Sequence, residues 1–251
     1  MNILTIDVGN TNVAICLFKK KKPIYFVKIK NSDLTKTKLQ QYLLKKSIKN
    51  IDTNIILSSV VPVISDRIID FLIINKIKFH LLKDLIKTLE IKINIKQREK
   101  IGEDRITNAY YAKTKYLKNL IIIDFGTATT FDVIDSKGIY DGGIITPGID
   151  VSLKVLSERT AKLPLVQFNK TKNVIGRDTK TAIQSGFFWG YISMIQGLVD
   201  KISKEKKDSF RIILTGGNCD IFKSFIENVI VSDDLFNSKG LNFIMNEYLN
   251  K

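Results

Sequence analysis

The chain of 251 residues holds one histidine, His80, and two cysteines, Cys16 and Cys219. A single imidazole excludes a Cys2His2 zinc centre. Any Ser-His-Asp triad would depend on a residue embedded in the apolar run 77–82, where a structural role is expected. Two cysteines cannot build a disulfide scaffold; both sit in apolar, strand-like text and read as small buried hydrophobes, which suits a reducing cytoplasm. The opening MNILTIDVGN has no basic leader, and Asp7 interrupts its apolar run too early for a signal peptide, so export is not expected. The longest uncharged stretch, 181–199, includes Thr181, Gln184, Ser185, Ser193 and Gln196. Lipid would leave those polar groups unsatisfied, so a buried helix is expected there rather than a membrane span.

Arginine is also scarce. The net charge is +15, yet only Arg67, Arg98, Arg105, Arg159, Arg177 and Arg211 contribute guanidinium groups to the 40 basic residues. Base readers favour arginine interleaved with aromatics, whereas these lysines are scattered among Ile and Asn, so specific nucleic-acid binding is not expected. The positive field would still draw anions such as ATP. Neither a Gly-Xaa4-Gly-Lys-Ser/Thr nor a Gly-Xaa-Gly-Xaa-Xaa-Gly motif occurs, which leaves P-loop and Rossmann routes to nucleotide binding without support. With 44% apolar and 26% charged residues, the composition is that of a globular protein with a real core.

What is present is an internal repeat. ILTIDVGNTNVAICLF, residues 3–18, recurs as LIIIDFGTATTFDVID, residues 120–135, so that Asp7 matches Asp124 and Gly9 matches Gly126. Each copy is an apolar strand, Asp-Xaa-Gly, a Thr/Asn-rich turn and a second strand. Each then turns again, at KKKK (19–22) or SKG (136–138), and resumes as a third strand. Two antiparallel meanders are therefore predicted, one opening each half, with a division into residues 1–117 and 118–251. Helices are expected over 34–49, 65–74, 105–117, 181–202 and 221–226, and strands over 55–61 and 211–214. Ala182, Gly186, Gly190, Ser193 and Gly197 line one face of the long helix, either packing on the sheet or pairing with the same helix of a second copy.

Glycine lets a ligand approach the backbone, neighbouring amides and Asn or Thr side chains can donate to phosphate oxygens, and a carboxylate can hold hydrated Mg²⁺. Asp7-Val8-Gly9-Asn10-Thr11 alone could be a hairpin turn. Its near-duplicate, Asp124-Phe125-Gly126-Thr127-Ala128-Thr129-Thr130, points instead to two loops that grip a polyphosphate.

The doubled loop resembles the actin, sugar-kinase and Hsp70 superfamily of ATP-binding folds. The Asp124 loop and three further motifs sharpen the resemblance. Gly102-Glu103-Asp104-Arg105 opening a helix, the Asp124 loop, Gly142-Gly143-Ile144-Ile145-Thr146-Pro147-Gly148 and Gly176-Arg177-Asp178-Thr179 follow one another as in type III pantothenate kinases, over essentially the whole chain. The resemblance implies an α/β chain of two similar ribonuclease H-like domains, the actin-like ATPase fold, with the ATP cleft between them. It implies a homodimer that phosphorylates pantothenate to 4′-phosphopantothenate with ATP, Mg²⁺ and K⁺ or NH₄⁺, the first step toward coenzyme A.

Carried over to this chain, it makes Asp7, Val8, Gly9, Asn10, Thr11, Asn12, Val13 and Ala14 the first ATP loop, with Asp7 reaching Mg²⁺ through water, and Thr127 a second ATP contact. Gly102, Glu103, Asp104 and Arg105 become the pantothenate segment, Asp104 the general base, Asp124 the monovalent-cation ligand and Thr179 a substrate contact. The bland role of Asp104 is to satisfy the dipole of a helix start, and that of Arg105 is a solvated first-turn arginine. Thr215-Gly216-Gly217-Asn218 is either a tight turn or a cover for the adenosine.

The chain departs from the family where Ile95 replaces a Tyr and Gln97-Arg98 replaces Asn-Pro, which removes one hydroxyl from the substrate region. The alternatives are a non-catalytic transcriptional accessory factor on the same scaffold and a kinase for a different hydroxylated acceptor. The presence of Asp7, Asp104 and Asp124 argues against a decayed site.

Overall fold

The computed structural model describes residues 2–44 and 53–250. The chain runs β1 (Asn2–Val8), β2 (Asn12–Lys19), β3 (Lys22–Lys30), α1 (Lys36–Leu39) continuing as a π-helical turn (Gln40–Leu44), β4 (Thr53–Ser59), α2 (Pro62–Ile74), β5 (His80–Leu81) and α3 (Leu82–Leu85). It continues through β6 (Lys92–Ile93), α4 (Glu103–Lys115), β7 (Leu120–Phe125), β8 (Ala128–Ile134), β9 (Ile139–Pro147) and α5 (Ile149–Glu158). It ends with α6 (Thr179–Lys206), β10 (Arg211–Gly216), α7 (Cys219–Phe222), β11 (Val229–Ser232) and α8 (Phe236–Leu249). These elements form two compact units. One comprises Met1–Ile91, Lys96–Lys115 and Phe236–Lys251, the other Lys92–Ile95 and Tyr116–Leu235.

The duplication read from the sequence is a duplication of topology. The first sheet has the order β3-β2-β1-β4-β5, and the second has β11-β10-β7-β8-β9-β6, the same five-strand pattern with β6 added at the β9 edge. In each, the first three strands form the antiparallel meander, and the fourth strand joins the first in parallel. That parallel step needs a crossover, supplied by the residues between β3 and β4 in one unit and by α5 and α6 between β9 and β10 in the other.

The two copies differ by one residue at the first turn. Gly9 N donates to Asn12 O (3.0 Å), whereas Gly126 N donates to Ala128 O (3.1 Å).

In the first unit, Leu4, Ile6 and Val8 of β1 and Ile55 and Leu57 of β4 pack with Ile64, Ile68, Phe71 and Leu72 of α2. Pro62 does more than end a strand, as its position in the sequence suggested. It occupies the first turn of α2, where its missing N–H has no helical partner to lose, so the helix starts three residues before the apolar periodicity does. Of the helix expected over 34–49, residues 36–44 are helical and 45–49 lie outside the described residues. His80 stands in β5 with its ring edge-on to Tyr248, centroids 5.2 Å apart, as befits a structural histidine.

In the second unit, Ile121, Ile123, Phe131, Ile212 and Leu214 pack under α5 and α6 through Leu153, Phe188, Ile192 and Ile195. Both cysteines are free and buried. Among the described residues no helix is long and apolar enough to cross a membrane. The helix expected over 221–226 is instead a single turn at Cys219–Phe222.

The sequence division at 117/118 assigns the last helix, not anticipated from periodicity, to the second half. Its packing assigns it to the first unit. Phe236 and Phe243 of α8 lie 5.0 and 5.6 Å from the Tyr111 ring of α4, and Tyr110 Oη donates to Glu247 Oε2 at 2.8 Å. Gly240 is the point of closest approach, for a Cβ there would stand 2.7 Å from Thr107 Cγ2. Gly240→Leu should therefore cost about 1–3 kcal/mol by forcing α8 off α4. Urea unfolding checks this, with a lowered midpoint expected at unchanged slope.

Candidate active site

The carboxyl ends of β1 and β4 lie side by side, the place where open α/β sheets bind ligands. The parallel register sets Asp7 against Ser58 and Val8 against Ser59, and Val60 N donates to Val8 O at 3.0 Å. Asp7 is half-buried at this end, and Asn10 and Thr11 are exposed beyond it. Val8 and Val13 are fully buried core residues, so within the expected ATP loop they can offer a ligand only backbone.

The loop is shaped by a residue that no motif contains. Asn31 Nδ2 donates to the carbonyls of Gly9 and Asn10, both at 2.9 Å, and Asn31 N donates to Thr11 O at 2.9 Å. Three successive carbonyls are thereby fixed by one side chain and one amide. Asn31 could have been found from the meander, because β2–β3 pairing sets Asn12 opposite Lys30 and so returns the end of β3 to the first turn.

A Cβ at Gly9 would meet only Asn12 O at 3.4 Å, and one at Gly126 only Ala128 O at 3.4 Å and Asp124 Oδ1 at 3.8 Å. The chain's own packing thus does not demand glycine at either position.

The segment 102–105 docks against the same edge. Glu103 Oε2 accepts from Ser59 N at 3.1 Å, and a Cβ at Gly102 would stand 3.7 Å from Val60 Cγ1. Val60 therefore touches both the Asp7 strand and the Asp104 segment, joining them within one unit. Glycine at 102 leaves the space that Asp104 Oδ1 takes, since a Cβ there would collide with that oxygen and turn the carboxylate away.

That same oxygen accepts from Arg105 N at 2.8 Å. Burial pushes the Asp104 carboxyl above the ordinary carboxylate range against this hydrogen bond and the Arg105 charge, which lower it. Burial likewise raises Glu103 against the Ser59 hydrogen bond and the Lys83 charge. From α8, Asn237 Nδ2 donates to Asp104 O at 3.1 Å.

In the second unit Asp124 stands at the equivalent place, paired with Thr130 of β8 and with the buried Thr215 of β10. Gly216 has φ +84°, and a Cβ there would come 2.6 Å from Asp124 Oδ1 and 2.7 Å from Phe125 N. The Thr215–Asn218 segment is thus a tight turn whose glycine leaves room for the aspartate. Thr127 is exposed, and its carbonyl accepts from Gly148 N at 3.0 Å. A Cβ at Gly148 would strike the carbonyls of Gly126 and Thr127, so the glycine-rich segment after β8 serves to support the Asp124 loop.

Ile95 packs over Gly142, its Cδ1 3.9 Å from where a Cβ would stand. Thr179 is exposed in the first turn of α6. The motif around it builds a capping box: Asp178 Oδ1 accepts from Thr181 N at 2.9 Å, and Thr181 Oγ1 accepts from Asp178 N at 3.2 Å.

Two sheets of one strand order, each with Asp-Xaa-Gly at the carboxyl end of its first strand, define the class: an ATPase of the actin-like and sugar-kinase fold. Solved structures agree on the fold. The chain is similar to MreB5 of Spiroplasma citri bound to ADP, with TM-score 0.52 and 12% identity over 98% of this chain and 97% of that one. It is also similar to a protein of Campylobacter jejuni that carries the name of the Baf family of transcriptional activators, with TM-score 0.60 and 19% identity over 98% of each chain.

The sequence profile of the type III pantothenate kinases matches residues 3–201, and the chain belongs to that family. Relatives bearing that name include those of Persephonella marina, 39% identical over 95% of this chain and 96% of the relative, and Pelagibacter ubique, 41% identical over 95% and 96%.

Because Gly102 leaves the space that Asp104 Oδ1 occupies, Gly102→Ala should move that carboxylate while leaving the core alone. Phosphoryl transfer should fall on the order of 100-fold. Steady-state assay alongside circular dichroism checks both halves of this expectation.

Proposed function

We propose that the protein transfers the γ-phosphoryl group of ATP to the primary hydroxyl of pantothenate, giving 4′-phosphopantothenate for coenzyme A synthesis, with Asp104 as the general base. The observation that carries this reading is the docking of the Asp104 segment and the Asp7 loop on one sheet edge through Val60. Family membership supports the reaction. The raised carboxyl of Asp104 supports its role, because a base whose proton affinity lies nearer neutrality takes a hydroxyl proton more readily.

Residues 7–14 and Thr127 are assigned to ATP. The glycines at 9 and 126, which internal packing does not require, leave space for phosphates beside the backbone. Gly102, Glu103 and Arg105 are assigned to pantothenate, Glu103 through its backbone and Arg105 as a fork to the carboxylate, with Thr179 as a further contact.

The single carboxylate of Asp7, half-buried at the end of β1, suits Mg²⁺, which keeps several waters and is held by one or two carboxylates together with substrate phosphates. Asp7 would hold it through water. Asp124, with Thr130 and Thr215 beside it, would hold K⁺ or NH₄⁺. When bound, the cations neutralise charge on the phosphoryl oxygens.

A reducing cytoplasm is the compartment that this reading implies, and two buried cysteines outside any disulfide support it. The working form is a homodimer built on α6. Gly186, Gly190 and Gly197 have nothing within 4 Å of a Cβ, so the sheet does not use that stripe. It borders an apolar groove of about 380 Å³ lined by Leu156, Ile183, Phe187, Tyr191 and Met194. A second α6 could approach closely along the glycines and cover that groove.

ADP release with ATP, Mg²⁺ and K⁺ should require pantothenate and fall sharply when Na⁺ replaces K⁺. Asp104→Asn should lower turnover on the order of 10³-fold while retaining the ATP-dependent thermal shift, and near-normal activity would remove Asp104 as base. The ionised form is the active one and its proton affinity is raised, so kcat should decline as pH falls through a value above the ordinary carboxylate range. Sedimentation velocity should give a dimer that Gly190→Leu converts to a folded monomer.

A further inference from the structure

The first turn of α4, which carries Asp104, is tied at two points, one to the end of β4 and one to α8. Glu103 Oε2 accepts from Ser59 N at 3.1 Å, and Asn237 Nδ2 donates to Asp104 O at 3.1 Å and to Asn108 Oδ1 at 3.4 Å. Neither tie is what packing alone would select. Asn237 Oδ1 is buried without a hydrogen-bond partner, an arrangement that costs about 1–3 kcal/mol relative to a satisfied group. A leucine of similar size would avoid that cost. The amide is therefore explained by what its Nδ2 does, which is to hold the Asp104 and Asn108 positions together. Glu103, in turn, keeps a half-buried carboxylate in place for the sake of a backbone amide at the end of β4. Asn237 lies beyond residues 3–201, the part of the chain that the family profile matches.

Resting on the function proposed above, we propose that Glu103 and Asn237 are positioning residues that brace the first turn of α4 from β4 and from α8, so that the Asp104 carboxylate meets the acceptor hydroxyl. Neither touches the substrate through its side chain. The carboxylate of Glu103 is engaged by Ser59, so within the segment 102–105 it differs in role from Asp104 and Arg105. The two ties act on opposite sides of one residue. Ser59 holds the Glu103 side chain, one residue before Asp104, and Asn237 holds the carbonyl of Asp104 itself, so the backbone that carries the carboxylate is held from both sides while Gly102 makes room for its Oδ1.

The test uses the full-length protein. Asn237→Leu removes the donor together with the orphaned oxygen, and Glu103→Ala removes the acceptor. Each should lower kcat on the order of 10- to 100-fold, the cost of a misplaced reacting group. KM for ATP should stay within about twofold, because transition-state contacts rather than nucleotide binding are lost. Glu103→Gln keeps an acceptor for Ser59 N and should recover most of the rate lost in Glu103→Ala. If both variants keep kcat within about twofold of the parent protein, the proposal is overturned. Should Asn237→Leu fail to fold, Glu103→Ala and its Gln rescue decide. Amide hydrogen exchange over residues 101–110 gives a second readout that does not need turnover. It should quicken in both variants, and unchanged protection overturns the brace. Absence of pantothenate-dependent turnover in the parent protein would instead sink the proposed function, with the exchange measurement still deciding the brace.

Discussion

The parallel pairing of β1 with β4 is the constraint on which the chemistry of the first unit depends. Parallel strands end at the same edge, so the register that sets Asp7 opposite Ser58 also brings Ser59 and Val60 level with the Asp7 loop. From that edge Ser59 N reaches Glu103, and Val60 lies against Gly102. β4 is buried on both faces, with Ile55 and Leu57 on the one that packs on α2 and Ile56 and Ser58 on the other, so a slip of one residue would exchange the two sets and set Ser58 against α2; that mismatch fixes the register. The hydrophobic effect, acting on side chains that take no part in chemistry, thereby positions the carboxylates that do. The second unit repeats the device with β7 and β10, where the register sets Asp124 opposite Thr215 and Gly216 supplies the space the aspartate needs.

Glycine serves two distinct purposes in the loops of the two units. Gly148 and Gly216 are demanded by the protein itself, because a Cβ at each would overlap backbone of the Asp124 loop, and Gly102 leaves the space that Asp104 Oδ1 takes. Gly9 and Gly126 are not so demanded, and their lack of a side chain is left to serve a ligand. Sequence shows only that all five are glycine. The distinction between holding the protein's own groups and admitting something from outside comes from the contacts each would make.

Much of the fold was legible in the sequence, because repetition is a stronger signal than propensity. The pair Asp7-Xaa-Gly9 and Asp124-Xaa-Gly126 announced two copies of one meander, and the strands of both meanders, β4 and β10 fall within a residue or two of where alternation put them, whereas β5, β6 and β11 were not read. Where periodicity was weak, sequence reading fell short. α8 has apolar residues spread over faces that touch both α4 and the sheet, so no single stripe announced it, and its membership of the first unit is a long-range fact. α5 follows Pro147-Gly148, a pair that reads as a turn, and was hidden for that reason. In the candidate site, the residues that carry motifs drew attention in the sequence, whereas Asn31, Ser59 and Asn237 did not. Asn31 and Asn237 donate from their side chains to carbonyls distant in sequence, and Ser59 donates its amide to the Glu103 carboxylate; an isolated Asn or Ser carries no local sign of such bonds.

The return of α8 to the first unit has a consequence for how the chain comes to its native state on the ribosome. A domain that is contiguous in sequence can complete itself while the rest is still being made. Here the first unit lacks Phe236, Gly240 and Phe243, the partners of α4, until the second unit has been made. Through Asn237 it also lacks the bond to Asp104 O until then. The second unit, contiguous from Tyr116 to Leu235 apart from the short β6 segment, precedes α8 along the chain. Translation therefore delivers the aspartate proposed as the base before its support, so that a nascent chain that stops short of α8 carries every motif of the family and still lacks the bond from Asn237 to Asp104 O.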